Sequence, residues 1–306
     1  TFAENLVKCG ITVEVLTTCC KSPYDNWWSD HYKPGSYNYQ GVTVKRFPVN
    51  KDGREKYETA VIKQISNEGL GLEDKYNFFQ YGINSDKLIE YVANEPNDYP
   101  IIALPYFQGL TFSVVTKNPN RISLMPCFHK EAQFYWEPTR DMLLYAKDVL
   151  YLSEEEKDMT IQQYGITIGR KVVEGPVVGV GIKNTYDTSL FLNKIKGSKD
   201  ENEEDLRILR KYKLPKTYFI YVGRKEAGKG VIDVVNWYLK FYEEQKRRGN
   251  HDIKMVFVGG GDPSLVPEGE CFLDLGFVEA NEKEFLIRNA VALINLSKNE
   301  SFSLVI

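Results

Sequence analysis

The sequence predicts an α/β protein made of two Rossmann-like domains, whose parallel sheets are covered by helices and face each other across a cleft. The length of 306 residues suits two domains of about 150 residues each. Short apolar, β-branched runs alternate with segments of helical periodicity. A polar, charged stretch at residues 183–204 interrupts this alternation, so we expect a linker between a domain at 1–182 and a domain at 205–306.

Composition excludes several classes of protein. Hydrophobic residues make up 42% and charged residues 26%, which supplies folded cores and is unlike a disordered chain. The formal net charge is −3, so no strongly basic face for nucleic acid is expected. No apolar run approaches the roughly 18 residues of a membrane span. The five cysteines have no CxxC spacing and are expected to be reduced thiols, as in a cytoplasmic enzyme.

The two ends of the sequence predict that it is a fragment. Residues 1–10 have the spacing of a helix that ends at Gly10, without an initiator methionine. Residues 303–306 are an apolar run without a cap. We expect the first strand of the first domain and the end of the second domain to be missing, and therefore little or no activity from the chain as given.

The first half begins with β-branched alternation and continues with mixed strands and helices. In chain order we predict a strand at 11–16, a long loop at 21–40, a strand at 41–47, helices at 54–67 and 84–93, strands at 101–104 and 121–126, a helix at 137–146, a strand at 148–152, a helix at 154–163 and a strand at 172–180. Ser153 and Glu156 fit a capping box that opens the helix at 154–163.

The second half repeats the alternation of strands and helices. In chain order we predict a helix at 204–212, a strand at 218–222, a helix at 229–247, strands at 254–258 and 272–278, a helix at 281–289 and a strand at 291–296. In parallel sheets of this kind, ligands bind at the carboxyl ends of the strands. The residues that follow each strand are therefore the candidates for a functional site.

The densest group of candidates follows the strand at 218–222. Gly223 and Gly230 allow a ligand to approach the backbone, Arg224 and Lys229 add positive charge, and a helix start offers free N–H groups. This pattern predicts an anion site, most simply for phosphates, although a solvated basic turn also fits the spacing. A P-loop is disfavoured, because Gly230 stands where that pattern needs Ser or Thr for magnesium.

Three further stretches follow later strands, and each is weak by itself. Gly259-Gly260-Gly261 indicates a close approach of a ligand or of another backbone segment. Gly276-Phe277-Val278 ends the next strand, and Glu300 lies in a turn after the last one. Glu300 can accept hydrogen bonds from sugar hydroxyls, but an isolated Glu in a loop is more commonly solvated.

Taken in order, these stretches resemble the donor half of the retaining GT-B glycosyltransferases, specifically glycosyltransferase family 4. The family pattern is a strand, Gly-Arg, Lys-Gly, a triple-glycine turn, Gly-Phe-Val and Glu-x-Phe-Gly-Leu. The matching residues are Gly223-Arg224, Lys229-Gly230, Gly259-Gly260-Gly261, Gly276-Phe277-Val278 and Glu300-Ser301-Phe302-Ser303-Leu304. Ser303 stands where the family has Gly, and the second Glu of the pattern falls beyond Ile306.

The first half resembles the same family more loosely. Residues 148–157 are similar to its strand-Ser-Glu-x-Glu segment. Cys127-Phe128-His129-Lys130-Glu131 matches the place where the family has a His near the donor sugar. By itself, a residue such as His129 is more often a structural histidine; the resemblance favours a role in the site.

The resemblance implies metal-independent transfer of a sugar from a nucleotide-diphosphate sugar, with retention at the anomeric carbon and without a bound cofactor. It implies that Arg224 and Lys229 neutralise the departing diphosphate and that Glu300 and His129 contact the sugar. Gly260, Gly261, Phe277 and Val278 would border the base. The remaining donor-binding residues that it implies are Gly223, Phe302, Ser303 and Leu304.

Several questions stay open at this point. The acceptor is a glycan, a lipid or a small molecule, and peripheral contact with a membrane is compatible with the sequence. Aromatic residues of the loop at 21–40 either stack on sugars or pack the loop. A degenerate GT-B protein that binds without catalysis is the main alternative. A GT-B phosphorylase or epimerase has no feature to recommend it, and a dehydrogenase lacks GxGxxG after any strand.

Overall fold

The computed structural model describes residues 2–23, 26–66, 69–96, 99–179 and 203–297. The chain divides into two units, Thr1–Ile182 and Lys183–Ile306. Most of the predicted linker lies outside the described residues. Its last two residues, 203 and 204, belong to the first helix of the second unit.

The first unit alternates strands with helices. Its helices are α1 (Phe2–Lys8), α2 (Arg54–Ser66), α3 (Leu72–Gln80), α4 (Asp86–Asn94), α5 (Gly109–Lys117), α6 (Glu137–Tyr145), α7 (Glu154–Ile168) and α8 (Arg170–Val173). Its strands are β1 (Glu14–Thr18), β2 (Gly35–Tyr39), β3 (Val42–Phe47), β4 (Ile101–Ala103), β5 (Ile122–Leu124) and β6 (Asp148–Val149).

These strands form two three-stranded sheets. In the first sheet, β3 lies between β1, with which it is parallel, and β2, with which it is antiparallel. In the second sheet, β5 pairs in parallel with both β4 and β6. Among the described strands, β1 and β4 each have a single partner. The parallel pairs place the carboxyl ends of β4 and β5 at one edge, where the His129 loop begins.

The core of the first unit is rich in buried aromatic rings. Phe79, Tyr106, Phe128 and Phe134 have essentially no exposed surface and belong to one cluster. Edge-on contacts connect Phe128 to Tyr106 and to Phe134, at centroid distances of 4.7 and 5.0 Å. Burial of such rings stabilises the fold by about 1.5–3 kcal/mol each. The loop that carries His129 is therefore anchored by Phe128, its own neighbour.

The predicted cap of α7 is present and has an extra function. The Ser153 hydroxyl accepts a hydrogen bond from Glu156 N at 3.1 Å. The Glu156 carboxylate does not close the box on Ser153. It accepts from Leu152 N at 2.7 Å and from Phe128 N at 2.6 Å. Burial raises the pKa of Glu156, and these backbone donors act in the opposite direction. A single carboxylate thus joins the start of α7 to the His129 loop.

Two predictions for the first unit are wrong, and two helices were not predicted. Over its described part, residues 172–179, the strand predicted at 172–180 is not formed: Val172 lies in α8, and only Val177 makes an isolated bridge, to Tyr151. The loop at 21–40 contains β2, whose residues are all exposed and so lack an apolar face. The helices α3 and α5 were not expected.

The second unit is a parallel sheet with a helix on each face. Its elements are α9 (Glu203–Tyr212), β7 (Thr217–Val222), α10 (Val231–Arg247), β8 (Ile253–Val258), β9 (Phe272–Asp274) and α11 (Ala280–Asn289). The strand order is β7-β8-β9, and both pairs are parallel. The predicted strand at 291–296 runs beside β7 and makes a single bridge, from Leu293 to Ile220. No helix within the described ranges has both the length and the apolar character of a membrane span.

Alternation along β7 and β8 gives the sheet two buried faces. Tyr221 and Phe257 pack against α10, whereas Ile220 and Val256 pack against Leu286 of α11. Both faces are apolar because helices cover both, which is the arrangement that parallel sheets require. The prediction of a parallel sheet covered on both faces is confirmed here.

Glu282 is a buried carboxylate near the start of α11. Lys211 Nζ lies 2.6 Å from Glu282 Oε1, and the Tyr212 hydroxyl donates to Oε2 at 2.5 Å. The Lys211 hydrogen bond, followed by that of Tyr212, lowers the pKa of Glu282 to about 2. A depressed pKa stabilises the fold above the unfolded value near 4.5, and this stabilisation is lost as the pH falls towards 2.

We therefore expect Glu282→Gln to lower the free energy of unfolding by roughly 1–2 kcal/mol at pH 7. The expected loss is this small because Lys211 is partly exposed and solvent weakens its attraction to Glu282. The difference between the two proteins should shrink as the pH falls from 5 to 3. Urea unfolding across this range measures it. A difference that does not depend on pH would contradict the electrostatic origin.

Candidate functional site

Three loops meet at the carboxyl edge of the sheet in the second unit. They comprise residues 223–226 after β7, 259–262 after β8 and 274–278 at the end of β9, and we call them together the glycine edge. Backbone hydrogen bonds connect them from Gly223 N to Val258 O at 2.9 Å, from Lys225 N to Gly260 O at 2.7 Å and from Gly259 N to Gly276 O at 2.7 Å. Six predicted residues thus lie in one connected group: Gly223, Arg224, Gly260, Gly261, Phe277 and Val278.

Glycine is required where these loops touch. Gly259 has φ +126°, and a Cβ atom there would lie 2.2 Å from Gly223 O. Gly261 has φ +108°, and its Cβ would lie 2.4 Å from Lys225 O. Both positions combine a backbone conformation that favours glycine with contact to another backbone segment. The triple glycine therefore serves the packing of loop on loop.

Gly230 begins the long helix α10 and brings another segment to it. It has φ +71°, and a Cβ there would lie 2.3 Å from Leu296 O. The backbone at Leu296 and Ser297 thus passes directly over the helix start. Gly230 has no side chain with which to cap α10, so the first N–H groups of the helix depend on other acceptors. This geometry suits an anion at the helix start.

Replacing Gly230 with alanine is expected to destabilise the protein by about 2–4 kcal/mol, because it adds backbone strain and a clash with Leu296. Gly228 is the matched control, since a Cβ there has no neighbour within 4 Å. Gly228→Ala should be nearly neutral. Urea unfolding of both variants measures the difference, and equal losses would contradict the close approach at Gly230.

Arg224 and Lys229 lie on either side of the turn that enters α10. Arg224 Nε is 3.6 Å from Glu226 Oε2, and the side chain is about one-third exposed. Lys229 ends the short 3-10 helix Ala227–Lys229. The Tyr221 hydroxyl donates to Arg224 O at 2.8 Å and to Lys229 O at 3.4 Å. One buried tyrosine thus fixes the backbone at both predicted cations.

Phe277 and Val278 have different environments. The Phe277 side chain is 88% exposed, and its ring lies against Gly260, where a Cβ would come within 2.4 Å of the ring. Val278 packs against the apolar cluster that contains Val258 and Leu286. An exposed aromatic ring beside a bare glycine backbone offers a flat apolar surface to a ligand. Val278 instead anchors this turn to the apolar core.

Lys225 was not predicted as a functional residue, and it lies at the centre of the glycine edge. Its side chain is only 3% exposed. Its ammonium group donates to Gly259 O at 2.5 Å and to Asp274 Oδ1 at 2.9 Å. Nothing in the sequence distinguishes Lys225 from its charged neighbours. The signal that could have found it is Asp274, an acidic residue within the apolar strand predicted at 272–278.

His129 belongs to the first unit, in the loop after β5. Its Nδ1 atom lies 3.1 Å from Glu131 Oε1, and that oxygen also accepts from the buried Tyr106 hydroxyl at 2.5 Å. The loop enters through Cys127, which has φ +58°, an uncommon conformation for a residue with a side chain. Burial raises the pKa of the Cys127 thiol to about 11, so the thiol is not a ready nucleophile.

Four predicted residues, Glu300, Phe302, Ser303 and Leu304, lie outside the described residues, so their roles stay predictions. The cysteines Cys9, Cys19, Cys20, Cys127 and Cys271 form no disulfides. Within the described ranges, no group of three or more His, Cys, Asp or Glu side chains is placed to hold a metal ion.

Comparison with known proteins identifies relatives by structure. No family model matches the chain, and no curated protein sequence matches it. A UDP-forming α,α-trehalose-phosphate synthase from Burkholderia xenovorans, in complex with glucose-6-phosphate, aligns with a TM-score of 0.63 at 10% identity, over 96% of this chain and 81% of its own.

Two other structures give the same result. A trehalose-6-phosphate structure from E. coli, bound with UDP-2-fluoro glucose, aligns with a TM-score of 0.65 at 10% identity, over 99% of this chain and 76% of its own. A trehalose-6-phosphate synthase analysed with bisubstrate glycomimetics for glycosyl transfer with retention aligns at 0.60 and 11% identity, over 95% and 79%. The family 4 assignment is not confirmed by these similarities. The chain has an α/β fold with parallel sheets that matches GT-B glycosyltransferase structures.

Proposed function

We propose that this protein binds a nucleotide-diphosphate sugar at the glycine edge and transfers the sugar with retention at the anomeric carbon. One observation supports this above all: two cations and an uncapped helix start adjoin the strand ends of a fold that matches glycosyltransferases over nearly the whole chain. In parallel α/β sheets, this edge is where ligands bind. The pattern is suited to a diphosphate because its oxygens need several donors at once.

The chemistry follows from where charge develops. Cleavage of the anomeric bond leaves negative charge on the departing diphosphate. Arg224, Lys229 and the N–H groups at the start of α10 stabilise that charge from fixed positions. They need no metal for this, so we expect EDTA to leave binding unchanged. Glu300 and the N–H groups of Phe302, Ser303 and Leu304 are proposed to hold the sugar and phosphate.

The remaining predicted residues have supporting roles in this proposal. Phe277 offers its exposed ring to the base, and Gly260 and Gly261 leave the backbone beside it open. His129 is proposed to recognise the sugar. Its support is local: a loop fixed by Glu156, and a carboxylate 3.1 Å from its Nδ1 atom. Tyr106 holds Glu131 in place, but His129 Nδ1 makes no hydrogen bond to it and, among the described residues, stays a buried polar atom without a partner.

The comparisons suggest which ligands to test first. One structural relative is described as UDP-forming and another is bound with UDP-2-fluoro glucose, so we propose a UDP-sugar as the donor. The first of these is in complex with glucose-6-phosphate, which makes a sugar phosphate the first acceptor to examine.

Isothermal titration of the chain with UDP, GDP and ADP, each with and without EDTA, tests the proposal. We expect saturable 1:1 binding of UDP that EDTA does not change. A folded chain that binds none of the three would overturn the proposed function. Incubation with UDP-glucose and glucose-6-phosphate then tests transfer. Binding without release of UDP would favour the alternative, a GT-B module without catalysis.

A further inference from the structure

We infer that Lys225 and Asp274 are a positioning pair, which fixes the shape of the glycine edge and thereby sets the affinity for a nucleoside diphosphate. Neither residue is assigned to contact the ligand. The inference rests on the proposed function for its ligand, but the positioning itself is a property of the three loops and is measured separately.

The pair connects all three loops through two side chains. The Lys225 ammonium group reaches from the loop after β7 to Gly259 O in the second loop and to Asp274 Oδ1 in the third. The same Asp274 oxygen accepts from Gly276 N at 3.0 Å. The Gly276 carbonyl then accepts from Gly259 N at 2.7 Å, which closes the connection. Both backbone polar groups of Gly276, its N–H and its carbonyl, are therefore hydrogen-bonded, which fixes the turn before Phe277.

The backbone of Lys225 adds to this arrangement. Its N–H donates to Gly260 O at 2.7 Å, and its carbonyl accepts from Asp262 N at 2.9 Å. Both sides of the triple glycine are therefore tied to one residue. Glycine backbone is intrinsically free, so its conformation here depends on these contacts. A lysine buried to 97% of its side chain is unusual and implies that its charge is used.

Stability alone does not explain an ion pair in which Lys225 is buried and Asp274 is 24% exposed. An apolar residue of similar volume commonly stabilises a core as well, because a buried charge loses its hydration. What an apolar pair cannot do is direct a donor at Gly259 O and an acceptor at Gly276 N. The pair therefore serves geometry, and its loss should alter the loops more than the stability of the fold.

The test is the double variant Lys225→Met/Asp274→Leu, which keeps the volume and removes the polar contacts. The matched control is Lys211→Met/Glu282→Leu, which removes another lysine–carboxylate pair of the second unit with one almost fully buried partner. The readouts are the UDP dissociation constant, amide hydrogen exchange at residues 259–262 and 275–278, and the melting temperature. If the double variant does not fold, the same measurements are made on Asp274→Asn, which keeps an acceptor oxygen but carries no charge.

We expect the double variant to bind UDP at least tenfold more weakly and to exchange faster at these amides, while the control binds UDP within twofold of the unmodified chain. For Asp274→Asn we expect a threefold to tenfold loss. Unchanged UDP affinity in a folded variant overturns the inference. If the unmodified chain binds no nucleoside diphosphate, the proposed function fails. In that case amide hydrogen exchange alone tests whether the pair positions the loops, and unchanged exchange rates in the double variant would overturn the inference.

Discussion

Arg224→Ala is expected to weaken UDP binding by about 10- to 100-fold, the equivalent of one charge-assisted contact of about 1.5–3 kcal/mol. Any cleavage of a UDP-sugar that the unmodified protein catalyses should slow by roughly 100- to 1,000-fold, because the guanidinium interacts most strongly with the charge that develops on the leaving diphosphate. Stability should change by only about 0.5 kcal/mol, since the side chain is partly exposed and pairs with Glu226 at 3.6 Å.

Arg288 supplies the control for this experiment. It lies in α11, pairs with Glu284 at 2.6 Å and is 42% exposed, so it resembles Arg224 in charge and exposure. Arg288→Ala should leave UDP affinity and donor cleavage unchanged. Titration calorimetry and UDP release from UDP-glucose measure both variants. Comparable affinity and rates in Arg224→Ala and the unmodified protein would remove Arg224 from the site.

The single substitution Asp274→Ala should be among the most destabilising in the second unit. It leaves the Lys225 ammonium group buried without its carboxylate and frees Gly276 N from its acceptor. Breaking a buried pair on one side costs about 3–5 kcal/mol. Asp274 is 24% exposed, so water partly replaces it, and we expect a loss of about 2–4 kcal/mol.

A double-mutant cycle separates this loss from the space left by the side chain. If the unpaired ammonium is the cause, Lys225→Met in the Asp274→Ala background should recover at least 1 kcal/mol of the free energy of unfolding. Urea unfolding of the four proteins measures the coupling. Additive losses would show that the two residues act independently.

The second unit was the more predictable one. The strands β7 and β8 are largely apolar runs that are each followed by a glycine, and the sheet has helices on both faces, so pattern and environment agree. The helix at 281–289 is within one residue of α11. The strand predicted at 272–278 is shorter: it ends at Asp274, which pairs in register with Phe257 and whose carboxylate binds Lys225.

The first unit shows where the sequence is not sufficient. The apolar run from Val172 suggests a strand, but the Lys171 ammonium group donates to Leu144 O and Ala146 O, and a turn of helix places it there. The strand β2 has no buried face, so no alternation marks it. Its pairing with β3 comes from the short turn at Gln40 and Gly41, both with positive φ.

The sequence indicated the parts of the candidate site that contain glycines after strand ends. It did not indicate the part that depends on a buried charge. Gly259 and Gly261 were recognised because their type is informative in itself. Lys225 was not, because burial of a lysine depends on an acidic partner that is distant in the sequence. Pair interactions of this kind become visible only when the strands are aligned in space.

Glu226 should make the site selective among anions before any sugar is involved. With its carboxylate 3.6 Å from the Arg224 guanidinium, the resting site already contains its own counter-ion. Chloride or acetate would bind Arg224 only weakly, because it would replace the Glu226 carboxylate in an ion pair that contributes about 0–1 kcal/mol. A polyvalent ligand with several oxygens gains much more, so ordinary cellular salt leaves the position vacant for it.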